Sequence, residues 1–147
     1  MLIHQLSLFV ENRPGQLHPP LTALAKAGID LRTLALADTK DFGILRLIVS
    51  DWERAKAVLE AEGRVVRVTE VVAIEVPDRP GGLSEVLETL AVRELGIEYM
   101  YAFAPGRSAS AVMIFRFDKP KDAIEALQAA GVAVVGSAEI RGRLGER

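Results

Sequence analysis

Glu11-Asn12-Arg13-Pro14-Gly15-Gln16-Leu17 returns as Pro77-Asp78-Arg79-Pro80-Gly81-Gly82-Leu83, sixty-six positions later. Each copy follows an apolar, strand-like run, Ile3 to Val10 and Val71 to Val76, and precedes an Ala/Leu-rich segment with helical spacing. The chain therefore reads as two copies of one unit, each entered through a strand-to-helix elbow. Pro14 and Pro80 fix their own φ and push Arg13 and Arg79 out of the helical region, so each strand must stop there. Gly15 and Gly81 let the backbone turn with no Cβ to block a visitor. Leu17 and Leu83 are expected to plug the new helices into the core. The first turn of a helix presents N–H groups without internal partners and the positive end of the dipole, a corner suited to a carboxylate or phosphate. Asn12, the chain's one asparagine, adds an amide that donates and accepts, the pairing an amino-acid zwitterion requires.

Working outward, Leu6, Leu8 and Val10 alternate with Gln5 and Ser7, which predicts a strand with one covered face. Leu17, Leu21, Leu24 and Ala25 recur at helical spacing, Pro19 and Pro20 sit where only a first turn accepts them, and Gly28 marks the helix end. Leu31 to Ala37 and Phe42 to Ser50 read as strands joined by the polar turn Asp38-Thr39-Lys40-Asp41. Asp51 caps a helix from Trp52 to Glu62 that Gly63 stops, and Val65 to Val68 is expected as a fourth strand. The unit is βαββαβ. The second copy repeats this order, with Gly96-Ile97-Glu98 matched to Gly28-Ile29-Asp30 by a two-residue insertion assigned to the first helix. Val132 to Ile140 supplies its last strand. The expected boundaries are 1–69 and 70–140, followed by a tail, 141–147. No Pro/Gly/Ser-rich linker separates the units.

A βαββαβ unit makes a four-stranded antiparallel sheet with both helices on one face. The expected fold class is thus α+β, two ferredoxin-like units side by side in an eight-stranded antiparallel sheet, their second strands forming the seam. Both faces of Phe42–Ser50 and of Val112–Phe117 are largely apolar while helices cover one, so a homodimer by sheet-face packing is expected.

Composition narrows function by exclusion. Half of the 147 residues are hydrophobic and the net charge is −2, which advertises neither nucleic acid nor a membrane surface. No apolar run is long enough to span a bilayer and the N-terminus lacks a signal-peptide pattern, so a cytoplasmic location is expected. Without cysteine there are no disulfides, thiol nucleophiles or thiolate metal sites. His4 and His18 lack ligand spacing, and no metal or cofactor is expected. Asp41-Phe42-Gly43 spells a kinase tripeptide without the companion loops. No nucleophile–base constellation or phosphate loop is present, so the reading is not an enzyme. RNA-recognition sandwiches need stacked aromatics and a basic surface, which this chain lacks.

The elbow N-x-P-G-x-L, the following Gly28-Ile29-Asp30 and the doubled βαββαβ order resemble tandem ACT-domain proteins over nearly the whole chain. Ala37-Asp38-Thr39, Asp41-Phe42-Gly43-Ile44-Leu45-Arg46 and Tyr99-Met100-Tyr101-Ala102-Phe103 are similar to the small stand-alone members built of two ACT units. The resemblance implies a regulatory, allosteric protein that binds a small molecule, commonly a free amino acid, at the seam between units. It implies ligand contacts from Asn12, Pro14, Gly15, Gln16 and Leu17, facing Tyr99, Met100, Tyr101 and Ala102. A second, reciprocal site would join Asp78, Pro80, Gly81, Gly82 and Leu83 to Leu36, Ala37 and Asp38; aspartate there replaces asparagine and would repel a carboxylate while attracting an ammonium. The alternative implied is a regulatory subunit of an amino-acid biosynthetic enzyme such as acetolactate synthase, acting through protein contact. Arg46, inside an apolar strand, requires a partner, for which Asp38, Asp41 or a ligand carboxylate is expected.

Overall fold

The computed structural model describes residues 1–103 and 110–143. The chain forms two compact units, His4–Thr69 and Met1–Ile3 with Glu70–Arg147. The first unit holds β1 (Ile3–Glu11, its first residue counted with the other unit), α1 (His18–Lys26), β2 (Leu31–Asp38), β3 (Phe42–Val49) and α2 (Trp52–Ala61). β4 (Arg67–Pro77) begins in this unit and ends in the next, which continues with α3 (Gly82–Val92), β5 (Ile97–Phe103), β6 (Ser110–Phe117), α4 (Pro120–Ala129), β7 (Val134–Val135) and α5 (Ser137–Arg143).

In the first unit β3 is flanked by β1 and β2, both antiparallel. Leu6, Leu8 and Val10 alternate onto the helix side and pack with Leu45, Leu47, Leu24 of α1 and Leu59 of α2. Asp51 caps α2 as its sequence demands, its carboxylate accepting from Arg54 N at 3.1 Å. The second unit runs β7-β4-β6-β5, all antiparallel. Its core joins Val72, Ile74 and Val76 to Phe115, Phe117, Leu90 of α3 and Leu127 of α4. Leu17 and Leu83 pack against the two cores as expected.

Four expectations need correction. The fourth strand of copy one and the first strand of copy two are one continuous strand, β4, so the described residues hold seven strands, not eight. Nothing between Arg67 and Val71 punctuates the backbone, and Val68 and Thr69 favour extension. The last expected strand shortens to two residues because Gly136 interrupts it and Ala138 and Glu139 favour α5, which buries Ile140. The expected tail thus starts inside α5, and residues 144–147 lie outside the described residues.

The two-residue insertion is not in the first helix. β2 and β5 match at a spacing of sixty-six: Thr33 pairs with Ile48 and Tyr99 with Arg116 after the same bulge. β3 and β6 match at sixty-eight, so the extra residues fall between Phe103 and Ser110. Gly96 is the counterpart of Asp30, and Glu94, at φ +53°, that of Gly28, at φ +70°.

Finally, β2 pairs only with β3 and β5 only with β6 among the described residues, so the second strands are edges rather than a seam. Ile48 of β3 and Val112 and Ile114 of β6 are buried. Large apolar side chains are exposed elsewhere in the first unit, on β2 (Leu34, 45%; Leu36, 52%) and at Phe9 and Phe42.

Candidate functional site

The two elbows share one backbone design. Arg13 N donates to Glu11 O at 2.8 Å and Gln16 N to Arg13 O at 3.3 Å; Arg79 N donates to Pro77 O at 2.9 Å and Gly82 N to Arg79 O at 3.0 Å. Gly15 and Gly81 stand at φ +82° and +84°, with open space where a Cβ would project. This is the sharp, unobstructed turn that Pro-Gly predicts.

The helices behind them differ. α3 starts at Gly82, whereas α1 starts two equivalent positions later, at His18. Pro20 explains the delay, because within an earlier helix its ring would meet the carbonyl of Gln16. Pro19 and Pro20 also remove two N–H groups, leaving those of Leu17 and His18 as the corner's donors. No acid occupies the first turn of α1. In the second elbow the chain supplies its own anion: Glu85 sits in the first turn of α3, and Arg79 bends over it with Nη2 at 2.7 and 3.0 Å from its two oxygens. The hydrogen bond from Arg79, then its charge, holds the Glu85 carboxyl below its usual range, and Glu85 in turn raises Arg79. Gly82 is pressed onto the strand end, a Cβ there lying 2.1 Å from Pro77 O.

Asn12 is exposed, its N–H donating to Asp41 O at 3.1 Å; among the described residues its carboxamide has no protein partner. Arg13 beside it pairs with Glu11. Pro14 and Gln16 complete the rim. Asp38 lies opposite Gly43, which lies opposite Val10, so Leu36, Ala37 and Asp38 reach the same end of the sheet as their own unit's elbow. The hairpin here is turn chemistry: Thr39 Oγ1 donates to Phe42 O at 2.7 Å and accepts from Phe42 N at 3.2 Å. Arg46 is half-buried between Ser7 and Ala35.

In the second unit Tyr99 and Tyr101 lie half-buried on one face of β5, opposite Arg116 and Ile114, while Met100 and Ala102 are exposed on the other. Asn12 and Tyr99 thus belong to different units, and Asp78, Pro80, Gly81, Gly82 and Leu83 to the unit of Tyr99. A cleft of ≈ 450 Å³ that the sequence did not reveal opens between Gly82, Glu85 and Thr89 of α3, Glu75 of β4 and the α4–β7 connection. Ser110 Oγ donates to Glu75 Oε1 there at 2.6 Å. The counterparts of these residues in the first unit are Phe9 and Phe42, an edge-to-face pair with centroids 6.4 Å apart. The only advance signal was a carboxylate inside an apolar strand.

Among the described residues no group of three or more His, Asp and Glu side chains is placed to hold a metal ion, and no helix is long and apolar enough to cross a membrane.

Two elbows of one design, each opening a strand–helix–hairpin–helix unit on an antiparallel sheet, define a paired α+β domain. Residues 1–141 match the family of the ACT domain pair, and the chain belongs to that family. The chain is similar to protein BT0572 from Bacteroides thetaiotaomicron, with 38% identity, a TM-score of 0.88 and coverage of 95% of this chain and 96% of that one. It shares its fold with the regulatory subunit of aspartate kinase from Thermus thermophilus in ligand-free form, at 20% identity, a TM-score of 0.63 and coverage of 88% and 93%. The corresponding subunit from Thermus flavus gives 18%, 0.62, 89% and 94%. Among curated proteins, none matches the chain.

Proposed function

We propose that this ACT domain pair is a regulatory protein that binds a free amino acid at the first elbow, with Asn12 as the principal polar contact. One observation carries the reading: of two elbows with the same backbone, the second is served by its own Arg79–Glu85 pair, while the first leaves the Asn12 amide and an acid-free helix start open. A ligand carboxylate would lie against Pro14, Gly15 and Gln16 and accept from the Leu17 and His18 amides, and Asn12 would accept from the ammonium. The wall of the site is proposed to come from an edge second strand, with Tyr99, Met100, Tyr101 and Ala102 as its residues. The second elbow, with Asp78 and Glu85, suits a cationic group or none.

Regulation would follow because a ligand that favours one arrangement of the chain shifts the population toward it. Regulatory subunits of aspartate kinase share this fold and are covered almost end to end, so an enzyme partner of that kind is the second reading, tried ahead of acetolactate synthase. Calorimetric titration against the free amino acids tests the first. A hydrogen bond to a charged group contributes about 1.5–3 kcal/mol, so Asn12→Ala should weaken binding by roughly ten- to a hundredfold. Asp78→Ala should leave it unchanged. Equal affinity of wild type and Asn12→Ala removes the first elbow from the site.

A further inference from the structure

The amino-acid reading leaves the cleft of the second unit unused. Its volume of ≈ 450 Å³ falls among small-molecule sites, which span about 300–1,000 Å³, and all of its lining residues belong to that one unit. The second copy carries the smaller residue around it. Gly82, Ala130, Val132 and Ala133 stand where the first copy has Gln16, Glu62, Arg64 and Val65. The correspondence is fixed by Gly131 and Gly63, which share a left-handed backbone at φ +76° and +81°. A Cβ built on Gly131 would meet nothing within 4 Å, so space is open there.

The chemistry of the walls is one-sided. The ionisable side chains that line the cleft are Glu75 and Glu85. Glu85 is exposed and held by Arg79, whereas Glu75 is half-buried in a strand that is otherwise apolar from Val71 to Val76. Its Oε1 accepts from the Ser110 hydroxyl at 2.6 Å, and its backbone N–H donates to Ala133 O at 2.9 Å. A neutral hydroxyl orients a carboxylate without cancelling its charge. The scaffold does not require an acid here, because the counterpart of Glu75 is Phe9. Val86 and Val132 supply apolar wall beside it.

We infer that this cleft binds a small aliphatic amine in its protonated form, the ammonium on the Glu75 carboxylate and the hydrocarbon body against Val86 and Val132. Apolar wall around one well-oriented polar group is the usual make-up of a small-molecule site. The Thr89 hydroxyl, which donates to Glu85 O at 3.3 Å, lines the cleft as a further acceptor. Two carboxylates turn an anion away, and a neutral body gains the apolar contacts alone. The site is separate from the one proposed at Asn12, and neither depends on the other.

The probe is n-butylammonium, compared with n-butanol as its neutral analogue and butyrate as its anionic one. A ligand this small reaches roughly millimolar affinity. Titration followed by amide NMR at neutral pH should give saturable shifts at Thr89, Gly131 and Ala133 with butylammonium, and at least about tenfold weaker binding with the other two. Glu75→Gln keeps an acceptor for Ser110 and removes the charge. It should weaken butylammonium by roughly tenfold or more while the rest of the amide spectrum stays in place. Ala133→Leu, at an exposed position, should fill the cleft and abolish the shifts without changing the melting temperature. Asn12→Ala should leave them as they are. A titration without saturable shifts, equal binding of butanol and butylammonium, or unchanged affinity in Glu75→Gln overturns the inference.

Discussion

Glu94 stands where Gly28 stands in the other half of the chain, directly after its helix and in the left-handed region, at φ +53° against +70°. The two make the same closing bond, Gly28 N to Ala25 O and Glu94 N to Ala91 O, each at 3.0 Å. A left-handed conformation costs an ordinary L-residue about 1–2 kcal/mol, partly offset by the greater freedom glycine loses on folding. Glu94→Gly should therefore stabilise the chain by about 1 kcal/mol, raising the urea midpoint with an unchanged slope. Gly28→Ala should destabilise it by about the same amount.

That pair also shows where the sequence was legible and where it was not. Both elbows could be read because Pro and Gly act locally: the φ of Gly15 and Gly81 follows from the turn alone. The helix end of the second copy could not, because Glu94 carries no sign of its left-handed backbone while Gly96-Ile97 imitates Gly28-Ile29. The matching bulges in β2 and β5, visible only in the pairing, place the insertion correctly. β4 was divided in two because a repeat suggests a boundary, yet Val68, Thr69 and Val71 offer the backbone no reason to break. The facing strand of the site was hardest, since whether β2 or β5 lies at a seam or an edge depends on tertiary choices that alternation does not encode.

At position 82 the two elbows diverge in a way that stability measurements can read. A Cβ on Gly82 would meet the Pro77 carbonyl oxygen at 2.1 Å, and backbone cannot swing aside as a long side chain does. In the first elbow the counterpart, Gln16, precedes the helix and carries a full side chain. Gly82→Ala should cost about 3 kcal/mol, the upper end for overpacking. For a chain of this length that lowers the melting temperature by roughly 6–12 °C. Gln16→Ala should change it by less than about 2 °C.

Arg79 and Glu85 make stability depend on pH with a definite sign. The folded carboxyl of Glu85 is held below its ordinary value by the hydrogen bond from Arg79 and then by its charge. Its contribution is therefore present above the unfolded glutamate range and is lost as pH falls through the depressed folded value. Arg79, shifted upward, stays charged throughout. Both groups are exposed, so the effect is small and salt-screened. Carbon-detected NMR titration should show the Glu85 carboxyl returning to the ordinary range in Arg79→Ala. An unmoved titration would mean that the pair does not persist in solution.

The continuity of β4 predicts how the molecule comes apart. Trp52, the single tryptophan, belongs to the first unit, where it stacks on His4 with centroids 4.5 Å apart. Its fluorescence therefore reports that unit, whereas far-ultraviolet dichroism reports the helices and strands of both. Two domains on a flexible linker would unfold separately and the probes would disagree. Here one strand runs from Arg67 to Pro77 through the boundary at Thr69 and Glu70 without a break. Residues on both sides of that boundary, Val66 and Val72, are buried in the two cores. Melting either core should release part of the strand that the other requires. Urea transitions followed by fluorescence and by dichroism should coincide within error, as all-or-none unfolding requires. Inserting a Gly-Ser-Gly segment after Thr69 should separate them, with the fluorescence and dichroism midpoints no longer equal. Separate midpoints in the unmodified chain would show that the shared strand does not couple the two units.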